Sequence, residues 1–297
     1  MDINVFIGRR KELKLSQVKL CRGICTQATL SKFESNAQIP SLSILDKLCT
    51  RLGMTVDDLY RGQEEKATRL KKTLNSIENQ LMTEDYRRVL KGLAKIEMTS
   101  MDPLPQQMQY YYLRGIVNAL VNESPAKVLF DFSLILNDLD EKHQTILSQL
   151  AFVGSGILYL RLQQTEQARF YFEKVLDYIH QVSLEDDERS GDNRSLRILT
   201  LIYYTAEYYA VIGNYKLSNQ LINNGLELCS DHHVTYYLPR LKFLTAQNAV
   251  KQHRPGKQVG QLMDEALAFA RINRNQVVEV KVAALKRQYR QAHPQEA

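Results

Sequence analysis

One spacing occurs twice in this chain and constrains its fold more than any other feature. Gly156, Tyr159, Ala168, Phe172 and Val175 stand 3, 9, 4 and 3 residues apart, and Ala206, Tyr209, Ser218, Ile222 and Gly225 repeat those intervals. Steps of three and four keep side chains on one helix face, and the step of nine carries the pattern across a turn onto a second helix. Repeated helix pairs bury their apolar faces against one another and build an array. Gly is 13 and Pro 7 of 297 residues, about 4% and 2% against the usual ~7% and ~5%, which argues against a turn-rich all-β chain. The length allows about two domains.

The twofold spacing resembles the tetratricopeptide repeat (TPR), in which two antiparallel helices pack closely. Small residues at the first and third positions let the helices approach, and an aromatic at the second fills the groove. The copies lie 50 residues apart rather than the usual ~34, and the polar segment 184–195 accommodates the excess as helix extension and loop. Segments 84–98, 106–136 and 236–271 read as weaker repeats, giving about five helix pairs and a terminal helix from about Gln276 to Arg290. An undifferentiated helical bundle is the plainer alternative. Such arrays coil into a superhelix whose concave side is lined by the first helix of each pair and binds peptides. Candidate lining residues are Asn118, Asn122, Gln149, Phe152, Ser155, Tyr203, Glu207, Tyr208, Lys242, Gln247 and Asn248. Each alone reads more readily as ordinary surface.

The first 62 residues differ from the rest. They hold ten Lys+Arg and six Asp+Glu, so +4 of the chain's +6 sits in this small head, the end any polyanion would meet. The head reads as five short helices. Ser16 and Thr26 are N-cap residues, Gly23 and Gly53 end helices, and Thr55 to Asp58 resembles a capping box. Residues 15–54, LSQVKLCRGICTQATLSKFESNAQIPSLSILDKLCTRLGM, resemble the phage-repressor or XRE-type helix-turn-helix. That resemblance makes Thr26 to Glu34 the recognition helix, with Thr26, Gln27, Ala28 and Thr29 at base edges. A Gln pairs bidentately with adenine, and the family residue matching Gln27 reads a base. The resemblance also implies a phosphate contact for Gln17 and backbone contacts for Ser35 and Asn36, while Lys32 can reach a phosphate or a base. Ala28 either meets a thymine methyl or gives room.

This order of parts divides the chain into a DNA-binding domain over 1–62, a linker helix over 63–82, striped by Leu70, Leu74, Ile77 and Leu81, and a repeat domain over 83–297. The expected fold class is all-α, an XRE/lambda-repressor-like head followed by a TPR-like right-handed α-superhelix. The whole resembles the RNPP regulators of the PlcR and Rgg types. That resemblance implies a homodimeric transcription factor that binds double-stranded operator DNA and is controlled by a short signalling peptide held in the TPR groove. Two other readings stay open: an adaptor tethered to DNA by its head, and a repressor that needs no ligand. In one respect the chain departs from PlcR-type arrays, which place asparagines on the groove helices; here Val153, Gly154, Tyr203 and Tyr204 stand instead.

No motif for an enzyme is present: no phosphate-binding glycine loop, no HExxH and no clustered His/Asp/Glu. No cofactor or metal is expected, since Cys21, Cys25 and Cys49 lack a CxxC pair or neighbouring histidines. They read as core thiols, with a redox role for Cys49 as the alternative. No apolar run reaches the ~18 residues of a membrane helix, and the N-terminus lacks a signal-peptide pattern. The chain reads as cytoplasmic.

Overall fold

The computed structural model describes residues 1–97, 104–181 and 193–293, and every regular element among them is a helix. Most of the polar segment 184–195 therefore lies outside the described residues. The chain divides into two compact units, Met1–Lys72 and Thr73–Ala297.

The first unit contains α1 (Ile3–Glu12), α2 (Gln17–Cys21), α3 (Gln27–Glu34), α4 (Leu42–Arg51) and the first part of α5 (Asp58–Met82). Local chemistry sets their ends. The hydroxyls of Ser16 and Thr26 accept from the backbone N–H groups of Lys19 and Thr29, each at 3.2 Å. Gly23 and Gly53 take φ of +74° and +67°, conformations a Cβ disfavours. Thr55 and Asp58 form the reciprocal box: the Asp58 carboxylate accepts from Thr55 N at 2.8 Å and Thr55 Oγ1 accepts from Asp58 N at 3.3 Å. The short helix expected after this box and the linker helix expected over 63–82 prove to be one element, α5. The unit's core is Phe6, Leu20, Leu30, Phe33, Leu48 and Leu59, with the Phe6 ring edge-on to Phe33 at 5.1 Å. Cys49 lies wholly within it, and burial pushes its thiol up to about 11. Such burial favours the core-thiol reading, because the reactive form is the thiolate.

The second unit is a run of helix hairpins. The latter part of α5 pairs with α6 (Tyr86–Leu93), α7 (Leu104–Leu120) with α8 (Pro125–Ser133), α9 (Ile146–Arg161) with α10 (Thr165–Gln181), α11 (Arg194–Val211) with α12 (Tyr215–Asp231), and α13 (Leu238–Lys251) with α14 (Gly256–Ile272). Helix α15 (Gln276–Ala292) ends the array. A π-helical turn, Leu134–Leu139, extends α8. One residue in each of the turns after α5, α7, α9, α11, α13 and α14 is left-handed: Glu84, Asn122, Gln163, Gly213, His253 and Arg274.

Close approach within the hairpins rests on small residues. The Phe172 ring on α10 lies over Gly156 of α9, where an added Cβ would stand 2.8 Å from its Cε2. Its other neighbour is Tyr208 of α11, stacked at 4.3 Å with 12° between planes. Phe132 on α8 occupies the matching slot between Gly115 of α7 and Gly154 of α9. Each ring is nearly wholly buried, a gain of roughly 2–3 kcal/mol apiece. The spacing found twice in the sequence recurs with one extra turn residue at Gly115, Asn118, Val128, Phe132 and Ile135. It recurs again at Ala246, Ala249, Val259, Met263 and Ala266.

Candidate nucleic-acid interface and groove site

In the first unit, α3 turns Leu30 and Phe33 into the core, which leaves Gln27, Ala28, Ser31, Lys32 and Ser35 exposed on its outer side. Gln27 and Ser31 are one turn apart, as are Ala28 and Lys32. Ser31 belongs to this face although its short side chain drew no notice in the sequence. Thr26 is spent locally: its hydroxyl accepts from Thr29 N and shares a 2.9 Å hydrogen bond with the Thr29 hydroxyl. Ser35 Oγ donates to the Lys32 carbonyl at 3.1 Å, and Asn36, at φ +61°, turns the chain out of the helix.

The orientation of α3 depends on Glu34, which in the sequence stands only as the last residue of the expected recognition helix. Arg10 donates to its two carboxylate oxygens at 2.6 and 2.8 Å, and the Gln17 amide donates to it at 2.9 Å. One carboxylate thus ties α1, α2 and α3 together. Gln17 is held in place by that bond, and its carbonyl oxygen and second N–H are left for another partner. Arg51 donates to the carbonyls of Leu20 and Arg22 and fixes the end of α2. Lys14, Lys19, Arg22, Lys32 and Lys47 are exposed and have no anionic partner among the described residues. The net positive charge of the head therefore faces solvent.

In the second unit the expected groove is largely closed. Every residue of α9 from Leu147 to Leu158 is buried, and α11 is buried on nearly all sides. Helix α9 is enclosed by α7, α8, α10, α11 and the π-helical turn, while the α5–α6 hairpin returns onto later helices and covers part of α11. Glu78 on α5 is fully buried and accepts from Arg197 of α11 at 2.9 and 3.1 Å. Thr200 Oγ1 lies 3.8 Å from Met82 Sδ, and Glu84 takes a 2.9 Å bond from Lys281 of α15.

The expected lining residues separate accordingly. Gln149, Phe152 and Ser155 are buried rather than lining an open surface. The Gln149 amide bonds the His143 carbonyl at 3.0 Å, the Phe152 ring packs against His143, and the Ser155 hydroxyl returns to the Ala151 carbonyl at 2.9 Å. Tyr208 is buried under Phe172, and Asn248 donates to Ser218 and Asn219 at 2.9 and 2.8 Å. Asn122 is not on a groove helix; it makes the α7–α8 turn at φ +63°. Lys242 pairs with Glu265 at 2.7 Å. Asn118 lines a separate recess with Arg114, Lys127 and Phe130. Three of the candidates do converge. Tyr203, Glu207 and Gln247 line a cavity of about 300 Å³ with Phe243 of α13 and Lys281, Ala284, Leu285 and Gln288 of α15. Behind the Tyr203 ring lies Arg240, its guanidinium 3.9 Å from the ring centre and nearly fully buried.

Residues 9–59 match the family model described as helix-turn-helix. No curated protein matches the chain. Solved structures do resemble it over almost their whole length. PlcR of Bacillus thuringiensis, in complex with the peptide PapR7 and DNA, has 14% identity and a TM-score of 0.59, covering 94% of this chain and 98% of its own. ComR from Streptococcus vestibularis, in complex with its cognate signalling peptide XIP, has 18% identity and a TM-score of 0.64, with 95% and 96% covered. ComR from S. thermophilus, with DNA and its signalling peptide ComS, has 16% identity and a TM-score of 0.57, with 95% and 97% covered. The likeness establishes the fold: an all-α chain in which a helix-turn-helix head precedes an array of TPR-like helix pairs. No helix among the described residues is long and apolar enough to cross a membrane.

Proposed function

We propose that this protein is a sequence-specific DNA-binding transcription regulator of the RNPP type, acting in the cytoplasm as a homodimer and controlled by a short signalling peptide bound to its helix-pair array. The observation that carries this reading is the joining, in one chain, of an α3 that presents an uncommitted polar face with an array like those of peptide-bound regulators. The head supplies Gln27, Ser31 and Lys32 on that face together with unpaired lysines, the combination that major-groove reading and phosphate neutralisation require. Two-fold symmetry follows from the need to read two half-sites. No step of this function is catalytic, and the chain acts by binding alone.

The peptide occupies the concave side of the array, in the cavity around Tyr203, Glu207 and Gln247. Because α5 belongs to both units and carries Glu78, binding in the array can bias the head through that helix. By linkage, a peptide that strengthens DNA binding must itself be bound more tightly when DNA is present, by the same factor. The test is to select a binding site from a random duplex pool with the full chain, then measure affinity for that site with and without bound peptide. A palindromic selected site and a peptide-dependent affinity support the reading. A chain that selects no sequence is not a sequence-specific regulator, and an unchanged affinity on peptide binding favours the adaptor reading.

A further inference from the structure

Resting on the peptide-binding reading, we infer that the Tyr203–Glu207–Gln247 cavity is a subsite for a cationic group of the peptide, either a Lys or Arg side chain or the N-terminal ammonium. The inference comes from how the charges around the cavity are already spent. Of the eight lining residues, Glu207 is the only acid and Lys281 the only cation. Lys281 is directed to Glu84, to which it donates at 2.9 Å. Arg240, on the far side of the Tyr203 ring, is stacked against Tyr203, Tyr204 and Tyr237 and is walled off from the cavity by the first of these rings. The Glu207 carboxylate receives one hydrogen bond, from Tyr203 Oη at 3.0 Å. No cation of the described residues lies within ion-pair distance of it.

A half-buried carboxylate with three unused lone-pair directions binds a donor cation more strongly than it would in open water. The walls suit such a guest. The Phe243 and Tyr203 rings and Leu285 can cover an aliphatic stem, while the Gln247 and Gln288 amides can accept remaining N–H groups. A volume of about 300 Å³ admits one long side chain or one chain terminus. An anionic guest is disfavoured, since it would face Glu207 with Lys281 already engaged.

The probe is an equimolar pool of random heptapeptides, prepared once with free N-termini and once N-acetylated, passed over the full-length protein and read by mass spectrometry. The wild type should retain peptides enriched about tenfold for a cationic group, the size of one charge-assisted hydrogen-bonded contact. Enrichment in Lys or Arg from the acetylated pool identifies a side-chain guest. Preference for free over acetylated peptides without basic enrichment identifies the terminus. Glu207→Gln, which keeps the shape and the Tyr203 bond, should still retain peptides but lose that enrichment. Gln247→Glu, at an exposed position, should increase it. Retention with no cationic enrichment, or enrichment unchanged in Glu207→Gln, overturns this inference and leaves the peptide reading standing. No retention of either pool overturns both.

Discussion

Arg10 and Glu34 are joined by two parallel hydrogen bonds, of 2.6 and 2.8 Å, between side chains that are only 13% and 8% exposed. The pair spans α1 and the end of α3, so the angle at which α3 presents its outer face depends on it. Glu34→Ala would strand the Arg10 guanidinium, with only the Leu15 carbonyl left to it. Breaking one side of a buried pair costs roughly 3 kcal/mol. Urea unfolding of the variant, followed by circular dichroism, should show that loss in the head, with DNA binding falling in parallel.

Gln27→Ala should relax sequence preference more than it weakens general DNA binding. Losing a bidentate base contact costs about 1–3 kcal/mol on the selected site, whereas random DNA is held mainly through phosphate neutralisation. Lys32→Ala is the contrast: both duplexes should weaken together and the salt slope should fall by about one unit. Anisotropy titrations of both variants at two salt concentrations distinguish them. Equal loss on both duplexes for Gln27→Ala would remove α3 from the reading role.

Two glycine substitutions should move stability in opposite directions. Gly156→Ala places a Cβ 2.8 Å from the Phe172 ring, and overpacking of this kind costs about 1–3 kcal/mol. Gly8→Ala in α1 meets nothing within 4 Å, and should stabilise by about 0.5–1 kcal/mol through helix propensity. Thermal melts of the two variants beside the wild type decide both signs.

The thiols should divide by burial. Cys49 and Cys229 are buried, and burial alone raises Cys229 to about 12, while Cys49 reaches about 11. At pH 8 neither holds an appreciable thiolate fraction. A thiol reagent should label Cys25, which is half-buried, well before these two, which should react only on unfolding. Fast native labelling of Cys49 would contradict the packing of the head.

Glu84 should contribute a pH-dependent part of the array's stability. Burial raises its pKa, but Arg240 and Lys281 outweigh that and the carboxyl titrates below its ordinary value of 4.5. A depressed folded-state pKa means the contribution is complete above about pH 4.5 and is lost as the pH falls through the lower folded value. Between pH 6 and pH 3.5 the wild type should therefore lose more stability than Glu84→Gln in paired urea titrations. Parallel pH profiles would show that the Lys281 bond contributes nothing.

What the sequence determined by itself is what local physics dictates. The caps at Ser16, Thr26 and Thr55, the glycine stops at 23 and 53 and the apolar period of the helices depend on neighbours a few residues away, so they could be read from the chain directly. The spacing through Gly156 and Ala206 was legible for the same reason. Its two further copies escaped because the turns at 121–124 and 252–255 hold four residues where the others hold three, and one added turn residue breaks an exact interval without disturbing the packing. Only the tertiary structure decided which first-helix residues remain accessible. Gln149, Phe152 and Ser155 lie at suitable positions, but α7, α8, α10, α11 and the segment through His143 enclose α9, and the Glu78–Arg197 and Glu84–Lys281 pairs bring the first hairpin against helices more than 110 residues away. Together these contacts bury most of the expected groove and leave Glu207 lining a cavity with no cation of the described residues at ion-pair distance. Partners so distant in sequence are set by how the whole array coils, and no local pattern encodes that.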